Sequence, residues 1–152
     1  MIKFKKIEHD PREYFPELIE VLKQDNDIIA LYLFGSYASG NIGPLSDVDL
    51  AVLLRSGYPS ESYFDKELDL LSKITNILRT DEVDVVILNR APFSFAYRIL
   101  KQNKLLFCRN DLERVKFQTK IVDGYLDFKP LLEENYRYLH RRIKEGKFGV
   151  RP

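Results

Sequence analysis

The sequence predicts an α/β (α+β) fold: a mixed β-sheet of about four strands with helices packed on it. Three observations point there. Four short apolar runs, IIALYLF, DVDLAVLL, VDVVILN and KLLFC, are punctuated by Gly, Pro, Asn and Asp, the pattern of short strands in a buried sheet. The segments between them carry apolar residues at three- and four-residue spacing, the period of a helix face. The chain has 152 residues, 45% of them hydrophobic, which suffices for one domain with its own core. The order helix, strand, strand, helix, strand, helix, strand, helix, helix argues for helices layered on a mixed sheet.

Pro11 opens the first helix, PREYFPELIEVLKQ, with Tyr14, Leu18, Val21 and Leu22 on one face. Pro16 lies near its start, where proline is tolerated best. Asp25, Asn26 and Asp27 end it. The run beginning at Ile28 reads as a buried strand and stops at Gly35. Residues 36–46, SYASGNIGPLS, read as a loop or short helix, and residues 47–54 as the second strand. A turn at Gly57, Tyr58, Pro59 and Ser60 leads into an amphipathic helix over 61–79, with Phe64, Leu68, Leu71, Thr75 and Leu78 as its apolar face. A third strand at 83–89, a helix from Phe93 through Gln102 and a fourth strand at 104–108 follow. Residues 111–128 are helical, with Leu112, Val115, Thr119, Val122 and Leu126 on one face. Residues 131–145 continue with Leu132, Tyr136, Leu139 and Ile143. Pro130 is expected to kink or break the helix between them, because it lacks the N–H and clashes with the preceding turn. One domain is expected over 1–145, with a mobile tail at 146–152.

Composition excludes several classes. With 24 basic and 23 acidic residues, no overall field calls for nucleic acid or a membrane surface. A single cysteine, Cys108, allows neither an internal disulfide nor a cysteine-based zinc site. The start, MIKFKKIEHDP, has no apolar stretch of a signal peptide, and no run approaches the length of a membrane span. A cytoplasmic protein is expected. Charge is nevertheless uneven. Residues 8–27 carry seven acids against Arg12 and Lys23, and residues 136–152 carry six basic residues against Glu145. Such runs are either solvated faces or docking surfaces.

The chemistry is concentrated in residues 33–54, LFGSYASGNIGPLSDVDLAVLL. A strand ends at Gly35-Ser36. Gly35 has no Cβ, so its backbone can approach a ligand closely. Ser36 offers a hydroxyl at what reads as a helix N-terminus, where free N–H groups favour phosphate. Asp47 and Asp49, at i and i+2 of a strand, point to one face. Two carboxylates side by side repel. A hard divalent cation relieves that repulsion, and Mg²⁺ prefers one or two carboxylates together with phosphate oxygens. Asp84 is an anomalous charge among valines in the third strand, a setting that predicts desolvation and a raised pKa unless a metal or donor offsets it. If the second and third strands are neighbours, Asp84 completes a three-carboxylate site for two metals, suited to in-line phosphoryl displacement. Glu82, on the same strand face but at the strand's edge, is the rival third acid.

Gly35-Ser36, ten intervening residues and then Asp47-Val48-Asp49 resemble the motif of the DNA polymerase β-like nucleotidyltransferase superfamily. With VDVVILNRAP and YLDFKPLLEENYRYLHRRIKEGKFG, the chain is similar more narrowly to the minimal nucleotidyltransferases, the MntA-type antitoxins paired with HEPN-domain toxins. The resemblance implies the nucleotidyltransferase fold with a helical C-terminal segment. It also implies catalytic and Mg²⁺-binding roles for Asp47, Asp49 and Asp84, with Asp84 as a general base, and nucleotide contacts from Gly35, Ser36 and Ser46. The reaction implied is AMP transfer from ATP, with two Mg²⁺ ions, to a tyrosine hydroxyl of a HEPN toxin, which is thereby neutralised. Nucleic acid is not an expected substrate, and no membrane is implied. The alternatives are transfer to a small, antibiotic-type acceptor and a catalytically idle antitoxin that acts by binding alone. One departure stands out: many relatives read Gly-Ser-x-Ala-Arg-Gly, whereas this chain reads Gly35-Ser36-Tyr37-Ala38-Ser39-Gly40. A cation at the phosphates must then come from elsewhere, and Arg90 is a candidate.

Overall fold

In the computed structural model, which describes residues 9–43 and 45–144, each of the four apolar runs is a strand. These are β1 (Ile28–Phe34), β2 (Val48–Leu54), β3 (Val83–Ile87) and β4 (Lys104–Cys108). They form one sheet in the order β3-β2-β1-β4. β1 runs antiparallel to both β2 and β4, and β2 runs parallel to β3. The expected mixed sheet is thus present. The basic start through residue 8 and the expected tail at 146–152 lie outside the described residues.

Helices cover both faces of the sheet. They are α1 (Phe15–Lys23), α2 (Ser36–Ser39), α3 (Tyr63–Leu78), α4 (Phe93–Lys101) and α5 (Asp111–Lys144). On one face, Leu18 and Leu22 of α1 and Leu70, Ile74 and Leu78 of α3 pack on Val48, Leu50, Val52, Val83, Val85 and Ile87. On the other, Ala96 and Ile99 of α4 and Ile121 of α5 cover Tyr32, Ala51, Leu53 and Leu88. Strand alternation explains the division, since even positions of β2 serve the first core and odd positions the second. Each fully buried Leu or Ile contributes on the order of 1.5–3 kcal/mol.

Helix faces differ from the sequence expectation in three places. In α3, Phe64 and Leu68 are exposed, and Leu70, Ile74 and Leu78 carry the contact. The helix has two overlapping apolar stripes, and the one that meets the sheet also includes Leu71 and Ile77 as partly buried neighbours. In α1, Leu18 and Leu22 are buried but Val21 is exposed. In α5, Leu112, Val115 and Leu126 face solvent, and Ile121 is the buried residue, with Phe117 beside it. α5 is held against α4 by the stacked rings of Tyr97 and Tyr125, 3.9 Å between centroids. Gly124 admits the Phe93 ring, which would lie 2.8 Å from a Cβ there.

Pro130 does not divide the last helix. α5 continues through it as one helix of 34 residues, rather than the expected pair. Pro130 sits on an exposed stretch, so the carbonyl it leaves without a helical partner is open to water. Arg79 ends α3 with φ 57°, and its guanidinium lies over the Tyr14 ring, 4.9 Å from the centroid. No helix among the described residues is long and apolar enough to cross a membrane.

Candidate active site

The candidate site forms where β1 ends and β2 begins. Val48, Leu50, Val52 and Leu54 point into the first core, so Asp49 projects from the opposite face, beside α4. Asp47 immediately precedes the strand. On β3, Val83, Val85 and Ile87 fill the first core, which turns Asp84 to the same face as Asp49. The parallel register pairs Asp49 directly with Asp84, and the Val48 N–H donates to the Glu82 carbonyl at 2.9 Å. Asp47, Asp49 and Asp84 each offer a carboxylate oxygen within 4.8 Å of the others. The expected adjacency of the second and third strands therefore holds, and it brings all three acids together.

Asp84 departs from expectation in one respect. Its side chain is exposed, whereas Asp47 and Asp49 are half-buried. β3 is an edge strand, so the valines that flank Asp84 pack into the sheet's other face and do not enclose it. Desolvation is therefore not the force acting on this carboxylate.

Gly35 is fixed by its neighbour. Phe34 pairs with Asp49 across the antiparallel ladder, which brings the next residue against the Asp49 side chain. A Cβ on Gly35 would lie 2.1 Å from Asp49 Oδ2, and the residue has φ 70° with ψ −150°. That backbone region is essentially confined to glycine. The Gly35 carbonyl accepts the N–H groups of Ala38 and Ser39, each at 3.1 Å, and so starts α2. Tyr37, buried in the first core, anchors the turn, and Gly40 closes it at φ 85°. Because α2 has four residues, its dipole is that of a single turn. Gly35 abuts Asp49, and the half-buried Ser36 follows it.

Ser46 has a local task. Its Oγ accepts the Gly43 N–H at 2.8 Å and closes the loop that delivers Asp47. Arg90 does not supply the expected cation. It follows the far end of β3 and is paired with Glu67 of α3.

A cavity of about 430 Å³ opens beside Gly35, lined by Phe34, Ser39, Asn41, Phe95 and Arg98 among others. Phe95, Arg98 and Ile99 of α4 and Gln102 just after it, all in this wall, were not singled out from the sequence. Their spacing is that of one helix face, a signal shared with any amphipathic helix. A larger cavity of about 560 Å³ lies at the other end of β2, between Arg55, Asn89, Glu113 and Lys116. The three acids line neither cavity, but the smaller one includes Gly35, which abuts Asp49, and so lies beside the cluster.

Three carboxylates at this separation repel one another, and the arrangement suits hard divalent cations that accept oxygen ligands. Such a donor set, placed against a close-approaching glycine, can hold and orient a polyphosphate for displacement at phosphorus.

Comparisons with known proteins agree with the fold. A toxin–antitoxin crystal structure with AMP-PNP is 25% identical to this chain, covering 79% of it and 97% of its own chain, with a TM-score of 0.60. A Shewanella oneidensis complex of tri-AMPylated HEPN toxin with MNT antitoxin is 20% identical, over 84% of this chain and 99% of that one, with a TM-score of 0.59. The toxin–antitoxin MntA–HepT is 21% identical, over 82% and 98%, with a TM-score of 0.58. The last two show the shared fold. No curated protein sequence matches the chain. The sequence profile described as "Polymerase beta, Nucleotidyltransferase" matches residues 16–112, a span that runs from α1 to the start of α5 and takes in Gly35 and all three acids. Because that span exceeds half of the sequence, the chain belongs to the polymerase beta nucleotidyltransferase family.

Proposed function

We propose that the chain is an antitoxin that transfers AMP from ATP to a tyrosine hydroxyl of a HEPN-type toxin and so neutralises it. The observation that carries this reading is the cluster of Asp47, Asp49 and Asp84, with oxygens within 4.8 Å of one another, set against Gly35. Asp47 and Asp49, with Asp84 completing the set, would hold one or two Mg²⁺ ions, which supply positive charge and in-line alignment for the triphosphate. Gly35 and Ser36 offer the backbone and hydroxyl contacts to phosphate oxygens, and Ser46 keeps the loop before Asp47 in place. Asp84, exposed on an edge strand, is open to an incoming acceptor and takes the hydroxyl proton. The tyrosine oxygen bonds to the α-phosphorus, the bond from that phosphorus to the α,β-bridging oxygen breaks, and pyrophosphate leaves.

Support for a protein acceptor comes from two directions. The similar structures are of toxin–antitoxin complexes, one of them with AMP-PNP and another with a tri-AMPylated HEPN toxin. The outer half of α5 also presents Leu131, Tyr136, Leu139 and Ile143 to solvent, apolar residues of the kind a protein partner covers. Residues 1–145 act in this reading as a single nucleotidyltransferase unit, with 146–152 appended. The test is intact-mass spectrometry of the cognate toxin after incubation with this protein, ATP and Mg²⁺. We expect AMP-sized mass increments on tyrosine and loss of toxicity, both abolished by EDTA. An unmodified toxin that is still neutralised, equally so by the Asp49→Asn protein, would show an antitoxin that acts by binding alone. An unmodified and active toxin, with AMP found on an aminoglycoside supplied in its place, would show a small-molecule enzyme.

A further inference from the structure

We infer that Arg98 binds the polyphosphate of the nucleotide, an inference that rests on reading the carboxylate cluster as a nucleotidyl-transfer site. A nucleoside triphosphate is a polyanion, and here it would enter a site already holding three carboxylates. Fixed positive charge is therefore required beside the metal, and it must not be neutralised by the protein itself. Several cations among the described residues fail that condition. Arg12 is paired with Asp10, Arg55 with Asp27, Lys66 with Asp25 and Arg90 with Glu67.

Arg98 meets it. Among the described residues it has no carboxylate partner. α4 covers the sheet face from which Asp49 and Asp84 project, and Arg98 lines the cavity of about 430 Å³ together with Gly35 and Ser39. Its guanidinium lies over the Phe95 ring, 5.7 Å from the centroid. Phe95 in turn packs edge-on against Phe34, with 6.3 Å between centroids. The chain Phe34–Phe95–Arg98 ties the cation to the last residue of β1, next to Gly35. A planar fork resting on an aromatic face loses little freedom when it bonds phosphate. Asn41 and Gln102 add neutral amides to the same wall. Arg98 thus bonds the β- and γ-phosphate oxygens, and its charge gains importance as the bond to the departing pyrophosphate breaks.

Calorimetric titration with Mg–ATP, Mg–pyrophosphate and AMP tests this. Arg98→Ala, at an exposed helical position, should keep the wild-type melting temperature and the wild-type AMP affinity. It should weaken Mg–ATP and Mg–pyrophosphate by at least about tenfold, the lower scale for a hydrogen bond to a charged group. Arg98→Lys should retain part of the affinity. Arg98→Ala combined with Ser39→Arg should recover it, since residue 39 lines the same cavity, and Arg90→Ala should bind as wild type. Wild-type protein that binds Mg–pyrophosphate no better than Arg98→Ala overturns the inference alone, as does an equal loss for AMP. Wild-type protein that ignores Mg–ATP overturns the reading of the site and this inference with it.

Discussion

Substituting alanine for Gly35 separates geometry from backbone strain at the candidate site. A Cβ at residue 35 would lie 2.1 Å from Asp49 Oδ2, where an ordinary contact begins near 3.4 Å. The carboxylate must therefore retreat by the difference, about 1.3 Å. Mg²⁺ demands oxygen ligands close to 2.0–2.1 Å in near-ideal octahedral geometry, so a displacement of that size removes Asp49 as a ligand. A misplacement of roughly 1 Å costs on the order of 10²-fold in rate. The backbone adds a second cost of about 1–3 kcal/mol in stability, because φ 70° with ψ −150° is a glycine region. Gly40→Ala is the matching control. It too has positive φ, but a Cβ there meets nothing within 4 Å. Gly35→Ala should thus lose about 10²-fold or more in single-turnover AMP transfer and most of its Mg²⁺-dependent ATP affinity, while Gly40→Ala loses only stability, read as the urea midpoint. Wild-type transfer by a folded Gly35→Ala protein would refute the proposed role of Asp49 as a metal ligand.

Three further predictions concern the acids and their surroundings. Asp84→Asn should still bind Mg–ATP but lose transfer by about 10²-fold or more, whereas Asp49→Asn should lose both; equal binding losses in the two proteins would remove the general-base role from Asp84. Ser36→Ala should weaken ATP binding by about 1.5–3 kcal/mol, the value of a hydrogen bond to a charged group, and unchanged calorimetry would show that the hydroxyl does not touch phosphate. The ion pair of Asp25 and Lys66, with side chains 19% and 12% exposed, gives a pH signature. Burial is the largest single effect and raises the Asp25 pKa, but the hydrogen bonds from Lys66 and the Asp27 N–H and the charges of Lys66 and Lys73 together outweigh it, and the net shift is downward. Burial is again the largest single effect and lowers the Lys66 pKa, but the hydrogen bond to Asp25 and the nearby Asp25, Tyr58 and Asp27 groups together outweigh it, and the net shift is upward. The Asp25 contribution is then present above the unfolded carboxylate value of about 4 and lost as pH falls through the folded one, while the Lys66 contribution is present below about 10.4 and lost as pH rises further. Lys66→Met should cost about 1–3 kcal/mol at neutral pH and shrink the acid-induced loss of stability; an unaltered acid limb in urea titrations would show that the pair contributes nothing.

The strands and the acids were legible in the sequence because both depend on short-range rules. Period-two alternation sets the face of Asp49 wherever the sheet lies, with Asp47 at the entry to the same strand, and the apolar run around Asp84 marks a strand whichever neighbour it takes. Helix orientation depends on long-range packing. α3 offers Phe64 and Leu68 or Leu70 and Ile74 to the sheet, and only the sheet decides between them. The same holds for α4, whose rotation brings Arg98 to the cavity beside Gly35, while Arg90, closer in sequence to the third acid, is carried past the far end of β3 to Glu67. The exposure of Asp84 follows from β3 being an edge strand, a fact of strand order. The break expected at Pro130 rests on its lost hydrogen bond and its clash with the preceding turn; on this exposed stretch the cost falls on a carbonyl that water can serve.

α5 is about 50 Å long at 1.5 Å per residue, yet its buried residue, Ile121, lies in its first half. From Leu126 to Arg141 every side chain described is exposed. Those turns depend on their own backbone bonds, and a segment of that length is marginal as a helix in water. Amide hydrogens beyond Pro130 should therefore exchange with solvent through local opening, orders of magnitude faster than those of β1 and β2, which open only with the whole domain. A partner that covers Leu131, Leu139 and Ile143 then gains contact area but also bears the cost of holding the helix closed, and part of its affinity goes to ordering these turns. Engagement would be read as slowed exchange confined to the end of α5, with the sheet unaffected.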